Sequence, residues 1–306
     1  MAVDHRPSED GPTMKSATVH APGRPERESS PLDGSAAARA ASVGVVRHSA
    51  LHIESVGHGP PLVLLHGWAM HSGLWGPLLP RLAKRYRVHA VDLPGHGHSA
   101  PLASFTLDAV VDALAAAFSG AQRPLTVLGW SLGGLVAMRW ALAEPARVGR
   151  IALVCTSPRF VACDDWPHAM SCATLDRFGD ELHVAWKLTV QRFLALQMQG
   201  GEHARATLVA LRSRVFARGE PAPKALFDAL TAIRGADLRA EASRVTQPAL
   251  VVSGSRDTLT LPDAGRWLAD HLPAARFALI EGAAHAPFLS HPEAFAGALD
   301  GFLDGR

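Results

Sequence analysis

The feature that most constrains this chain of 306 residues is the run Leu125-Thr126-Val127-Leu128-Gly129-Trp130-Ser131-Leu132-Gly133-Gly134. A short apolar strand pattern ends in Gly-Trp-Ser-Leu-Gly and passes at once into a helical pattern over 132–143. A join that short has to turn sharply. The serine at its apex then sits in a strained backbone conformation, with its hydroxyl lifted clear of the strand. The segments on either side of the turn pass close together, and Gly129 and Gly133 allow this by lacking a Cβ. Leu132 opens the helix, so its N–H has no partner within the helix and is available to a developing oxyanion. A bare Gly-x-Ser-x-Gly string is common; the strand before it and the helix after it give it meaning.

Around that turn the chain alternates. Apolar runs predict strands over 51–56, 62–66, 88–92, 125–129, 151–155, 249–254 and 277–281. Helical patterns fall over 76–84, 107–118, 132–143, 263–271 and 292–302. Continuous Val/Leu/Ile strands alternating with helices indicate an α/β fold, a mostly parallel, doubly wound sheet covered on both faces. Sites in such sheets lie beyond the carboxyl ends of the strands. His66, Asp92, Ser131 and Asp257 each fall just after a predicted strand, and His285 falls in the loop after the last one.

Two stretches break the alternation. Residues 158–237 carry helical patterns without a convincing strand and read as a helical lid inserted into a core of 43–157 and 238–306. Residues 1–42 are rich in Ala, Ser, Pro, Arg and Glu without periodicity and read as a disordered N-terminal extension. That extension holds five basic and six acidic residues, so it is not a basic arm for nucleic acid.

Composition bounds the rest. Hydrophobic residues at 48% allow a large core, and a net charge of +2 makes no electrostatic case for a nucleic-acid partner. No apolar run reaches the ~18 residues of a membrane span, and no basic-then-apolar leader opens the chain. Cys155, Cys163 and Cys172 have no metal-like spacing and read as free thiols in a reducing compartment, hence a cytoplasmic protein. His96 and His98 sit in a Pro-Gly-His-Gly-His-Ser loop without neighbouring Cys or acidic ligands, so a loop role is expected there and no metal or cofactor. The chain reads as a monomer.

A serine nucleophile needs a base, and the base needs an orienting acid. The run 250–257 ends a strand pattern in Asp257, and the run 279–285 follows the next strand with His285. His285 would take the proton of Ser131 and return it to the leaving group, while Asp257 would fix the imidazole tautomer. The second oxyanion donor is expected from Leu64-Leu65-His66-Gly67-Trp68, where Gly67 permits a tight turn and the Trp68 N–H points at the oxyanion. His66 itself reads as a turn-stabilising side chain.

His66-Gly67-Trp68, the run from Asp92 to Ser99, Gly129-Trp130-Ser131-Leu132-Gly133-Gly134 and Gly282-Ala283-Ala284-His285-Ala286-Pro287-Phe288 together resemble the α/β-hydrolase superfamily. More narrowly, Leu65–Met70, Gly129–Val136, Asp165-Trp166-Pro167, Arg192-Phe193-Leu194-Ala195-Leu196-Gln197 and Ala284–Pro292 resemble the pimeloyl-[acyl-carrier protein] methyl ester esterases of biotin biosynthesis. The resemblance runs from about Leu51 to the C-terminus and leaves out 1–42. It implies an α/β-hydrolase fold and a serine carboxylesterase with Ser131, Asp257 and His285 as its triad. It also implies Trp68 and Leu132 as oxyanion donors, with Trp68, Phe193 and Gln197 contacting the substrate.

The lid adds a signal of its own. Between His183 and Arg218 stand six cationic residues, Lys187, Arg192, Arg205, Arg212, Arg214 and Arg218, against one acid, Glu202. Arg205 and Arg212 share a helical face. The resemblance implies an acidic acyl-carrier protein as partner, touched by Arg192 and Arg205, with Leu188 and Val209 at two positions where the family carries arginine; Arg212, on the face of Arg205, is expected to join them. Two other functions remain open: a broad-range carboxylesterase or lactonase of small acyl esters, and a non-catalytic ligand-binding hydrolase fold.

Overall fold

A computed structural model describes Met1 and residues 44–48, 51–76 and 78–305; apart from Met1, the extension expected over 1–42 lies outside the described residues. Among the described residues eight strands form one sheet: β1 Gly44–His48, β2 Leu51–Val56, β3 Pro61–Leu65, β4 Arg87–Val91, β5 Leu125–Trp130, β6 Val148–Val154, β7 Ala249–Gly254 and β8 Ala275–Ile280. Their order is β1-β2-β4-β3-β5-β6-β7-β8. β1 and β2 pair antiparallel, as do β2 and β4, and every later pair is parallel. The strands read as near-continuous apolar runs are the buried ones: β3 and β5 each have one residue short of full burial, and β7 has none. β8 closes the parallel edge and is only partly covered.

The helices α1 Leu78–Leu82, α2 Leu107–Ala117, α3 Leu132–Ala143, α7 Pro262–His271 and α9 Pro292–Leu303 agree with the expected segments to within a few residues. Caps explain several of the ends. The Thr106 hydroxyl accepts from Ala109 N at 3.1 Å, and prolines open α7 and α9, where a missing N–H costs nothing. Helix α3 is apolar almost all round because it is the innermost helix: nine of its residues are buried. Between β6 and β7 the chain leaves the sheet and forms α4 Cys172–Gln197, α5 Ala204–Arg212 and α6 Pro223–Gly235. Helix α4 bends at Ala185 (φ −149°, ψ 57°), so it is two helices joined at a kink.

Three features go beyond the sequence expectations. Strand β1 is not among the predicted strands; its five residues include Gly, Arg and His, and among the described residues it pairs with β2. Short isolated bridges, Val161 to Met170 and Cys163 to Trp166, shape the entry to α4. A four-residue helix, α8 Pro287–Ser290, follows His285 directly.

The loops after β3 and β4 are held by buried polar groups. One Asp92 oxygen accepts from Ser72 N at 2.6 Å and the other from His98 N at 2.9 Å. His66 donates from Nδ1 to Gly67 O at 2.8 Å and accepts at Nε2 from Leu93 N at 2.9 Å. Both of its nitrogens are therefore spent on backbone, as the turn-stabilising reading requires. Burial, with His96 close by, pushes the His66 imidazole down to about 3, and burial pushes His96 down to about 4.

Those depressed values set an acid limit on stability. In the unfolded chain both rings titrate near ~6.5, so between there and the folded values the unfolded state binds more protons. Stability contributed by the two neutral rings is complete above ~6.5 and is lost as pH falls towards 4, at up to about 1.4 kcal/mol per pH unit for each ring. Denaturant unfolding followed from neutral pH down to about 4.5 should show this slope. A flat profile in that window would mean that both rings are protonated in the folded protein.

Candidate active site

The turn between β5 and α3 is strained as its sequence demands. Ser131 has φ 54° and ψ −117°, a left-handed conformation that costs a non-glycine residue about 1–3 kcal/mol. Four bonds hold it there: Ser131 N donates to Val154 O at 2.9 Å, Thr156 Oγ1 donates to Ser131 O at 2.8 Å, and Gly134 N at 2.9 Å and Leu135 N at 3.3 Å donate to the same carbonyl. A Cβ on Gly129 would run into the Gly133 carbonyl, and one on Gly133 into the Leu65 carbonyl. Both glycines are thus required for the turn to lie against the end of β3.

Asp257 stands just beyond β7 and His285 beyond β8. The His285 Nδ1–H donates to Asp257 Oδ2 at 2.8 Å, and both side chains are shielded from water. Asp257 is well supplied with donors. Its Oδ1 accepts from Leu259 N at 2.9 Å and Thr260 N at 3.1 Å, and its Oδ2 also accepts from Thr260 Oγ1 at 2.7 Å. Burial works to raise its pKa, but the nearby His285 and these donors outweigh burial and hold the carboxyl below its usual range. An ionised Asp257 can only accept. The proton of a neutral His285 is therefore on Nδ1, and Nε2 carries a free lone pair. That Nε2 is buried and has no hydrogen-bond partner among the described residues.

Ser131 and His285 line the same small cavity, with Trp68, Phe160, Met170, Leu175, Phe193, Leu230, Ile233 and Leu259. No hydrogen bond joins the serine hydroxyl to His285 among the described residues. The cavity holds about 20 Å³, room for about one water molecule. Its walls are apolar and come from both the sheet and the helices between β6 and β7.

The backbone N–H groups of Trp68 and Leu132 have no protein acceptor among the described residues. The Trp68 indole does: Nε1 donates to Leu226 O on α6 at 2.8 Å. Its ring meets Phe193 of α4 edge-on, with centroids 4.9 Å apart. The loop carrying one expected oxyanion donor is thus tied to the helical insertion. Phe193 lines the cavity and Gln197 does not; Gln197 reaches the site through its backbone, where its carbonyl accepts from His285 N at 3.1 Å.

The basic residues of the insertion separate into two groups. Arg218 turns inward to Glu54 at 2.6 Å and Ser72 Oγ at 2.9 Å, and Arg214 donates to Leu74 O at 3.0 Å. Lys187 pairs with Glu220. Arg192 forms an exposed pair with Glu181 at 3.1 Å. Arg192 and Arg205 both line a shallow surface pocket between α4 and α5. Close by, Leu188 and Val209 are exposed at 46% and 62%, unusual for residues of their type.

Three positioning groups were not expected from the sequence. The Trp130 Nε1–H donates to His285 O at 2.7 Å, linking the serine turn to the histidine loop. Thr260 supports Asp257, and Thr156 supports Ser131. Cys155 lies beside Asp257 and His285, and burial together with the Asp257 charge pushes its thiol up, so it remains neutral.

Comparison with known proteins places the chain in a family. A family model described as the alpha/beta hydrolase fold matches residues 60–292. A pimeloyl-[acyl-carrier protein] methyl ester esterase of Chromobacterium violaceum is 47% identical over 83% of this chain and 98% of its own length. One from Nitrosomonas europaea is 43% identical over 82% of this chain and 99% of its own length. Among solved structures, an esterase from Exiguobacterium antarcticum superposes with a TM-score of 0.77 at 20% identity, covering 86% of this chain and 98% of that one.

Proposed function

The chain belongs to the α/β-hydrolase fold family and, within it, to the pimeloyl-[acyl-carrier protein] methyl ester esterases, and from this we propose that it hydrolyses the methyl ester of a pimeloyl group held on acyl-carrier protein. The observation that carries the chemistry is the Asp257–His285 contact of 2.8 Å, which leaves His285 Nε2 bare and buried in the cavity that Ser131 also lines.

In this reading Nε2 takes the Ser131 proton as Oγ attacks the ester carbonyl. The Trp68 and Leu132 N–H groups hold the oxyanion that forms. His285 then passes its proton to the departing methoxide, which leaves as methanol, and an acyl-enzyme remains on Ser131. Water, deprotonated by the same nitrogen, attacks that acyl group; Ser131 recovers its proton and the free carboxylate departs. Asp257 stays ionised throughout and steadies the imidazolium. The reaction needs no metal or cofactor.

Residues 158–237 would act as a lid on a core of 43–157 and 238–306, since Phe193 and Leu230 of the insertion complete the walls of the cavity beside Ser131. Phe193 would contact that chain. Gln197 would act through its carbonyl on the histidine loop. The acidic carrier protein would dock on Arg192, Arg205 and Arg212, with the enzyme working as a cytoplasmic monomer. No helix among the described residues is long and apolar enough to cross a membrane.

A broad-range esterase of small acyl esters is the second reading. It draws on the inward pairing of Arg214 and Arg218 and on the apolar Leu188 and Val209, which together leave fewer charges for docking. Reversing charge in Arg192→Glu/Arg205→Glu separates the two. The expected result is a fall in kcat/KM on the carrier-bound ester of about tenfold, shrinking as salt rises, with a small soluble ester spared. Equal losses on both substrates would place the damage in the pocket, and no loss on either would favour the small-ester reading. Growth without biotin, restored in a host lacking its own pimeloyl ester esterase, tests the function as a whole.

A further inference from the structure

Away from the catalytic cavity, Glu202, His203 and His291 bring a carboxylate and two imidazoles together, with one ligand atom of each within 4.8 Å of the others. Glu202 and His203 stand at the start of α5, His203 as its N-cap residue. His291 separates α8 from α9, shortly after His285. Its Nδ1 is engaged with Ser290 Oγ at 2.9 Å. Its Nε2 is buried and lacks a hydrogen-bond partner, and it lies 3.8 Å from Glu202 Oε2. The two imidazole rings are 5.0 Å apart between centroids. Burying an imidazole nitrogen without a partner costs free energy unless something occupies it.

Two imidazoles and a carboxylate with an open fourth position make a donor set suited to zinc. Tetrahedral ligands at ~2.0–2.1 Å from zinc stand about 3.3 Å from one another, so the Glu202–His291 contact of 3.8 Å needs a small closure and the other pairs, all within 4.8 Å, a side-chain adjustment of the exposed His203 and Glu202. Glu202 Oε1 faces Arg256 at 3.6 Å, which leaves Oε2 for a metal. Other groupings of similar residues are already committed. Both oxygens of Asp92 accept backbone N–H groups, which spends the set with His52 and His98. Asp257 is filled by His285, Thr260 and Leu259.

The position of this site gives it a consequence. Glu202 N donates to Gly282 O at 3.0 Å, and His285 N donates to Gln197 O at 3.1 Å, so the chain from α4 to α5 lies along the loop that carries His285. We propose that Glu202, His203 and His291 form a zinc-class divalent metal site that clasps the helical insertion to the His285 loop. Metal binding does not depend on the esterase reading; only its effect on turnover does. With metal bound, α5 is tied to the segment between α8 and α9, and the insertion opens less often.

The test uses the full chain, stripped with chelator and titrated with zinc chloride by calorimetry. The expected result is one equivalent bound, a higher Tm, and slower hydrolysis of a small soluble ester. His203→Ala and His291→Ala should each weaken binding about tenfold or more and relieve the inhibition, while His98→Ala should leave both unchanged. Glu202→Gln, at an exposed side chain, serves if His291→Ala folds poorly. Wild-type protein that binds no zinc up to about 1 mM, or variants that bind as wild type does, would overturn the site. Inhibition that persists in His203→Ala would place the metal at the catalytic cavity and overturn the clasp.

Discussion

Ser131→Ala is expected to reduce kcat for ester hydrolysis by about 10⁶-fold, the cost of removing the nucleophile from a serine triad. The fold should survive, because Ser131 is held by its backbone: its N–H bonds Val154 and its carbonyl accepts from Thr156 and Gly134. None of these bonds uses the hydroxyl. The variant should therefore melt close to the wild-type protein while losing turnover on both small and carrier-bound esters. Pure variant retaining more than a few per cent of wild-type kcat would remove Ser131 from the chemistry, and with it the whole elbow assignment. The same measurement disposes of the non-catalytic reading, since a binding fold has no turnover to lose.

Asp257→Asn should cost about 10⁴-fold in kcat, through the tautomer rather than through the charge alone. The structure shows why. Oδ1 accepts from two backbone N–H groups, Leu259 and Thr260, while Oδ2 accepts from the Thr260 hydroxyl and His285. An asparagine has a single oxygen. The two backbone donors cannot turn away, so that oxygen is drawn to the Oδ1 position and the NH₂ faces His285. Nδ1 must then accept, its proton moves to Nε2, and the base towards Ser131 is gone. Binding of a substrate analogue should persist with an unchanged Tm within a few degrees. A nearly fully active Asp257→Asn would mean that another carboxylate orients His285.

These two variants bear on residues that order and spacing in the sequence single out. Ser131 and Asp257 each follow a strand of buried apolar residues, His285 follows the partly covered edge strand β8, and a parallel sheet gathers its strand ends on one side. Strand identity followed for the same reason, since β3, β5 and β7 are continuous apolar runs with little else they could be. What escaped was decided by partners distant in sequence. The indole of Trp130 reaches a carbonyl 155 positions away, and that of Trp68 reaches one 158 positions away. Counting charge on the insertion could not reveal that Arg214 and Arg218 face inward, because Leu74, Ser72 and Glu54 meet them only after folding. The kink at Ala185 and strand β1 were missed for a related reason. Neither has a strong local signature, and tertiary packing decides both.

The cavity of about 20 Å³ has a kinetic consequence. In the proposed lid reading an ester enters only molecules with an opened site, so every substrate, small or carrier-borne, would meet an apparent affinity reduced by the same open fraction. Absolute KM values then report this shared gate as much as any contact with substrate. Ratios of kcat/KM between substrates cancel it and keep what the pocket and the outer surface discriminate. For esters that react quickly once inside, turnover converges on the opening rate, whatever their leaving group. Chemically unlike substrates would then share one ceiling, set by how often α4 and α6 part from Trp68 rather than by events at Ser131.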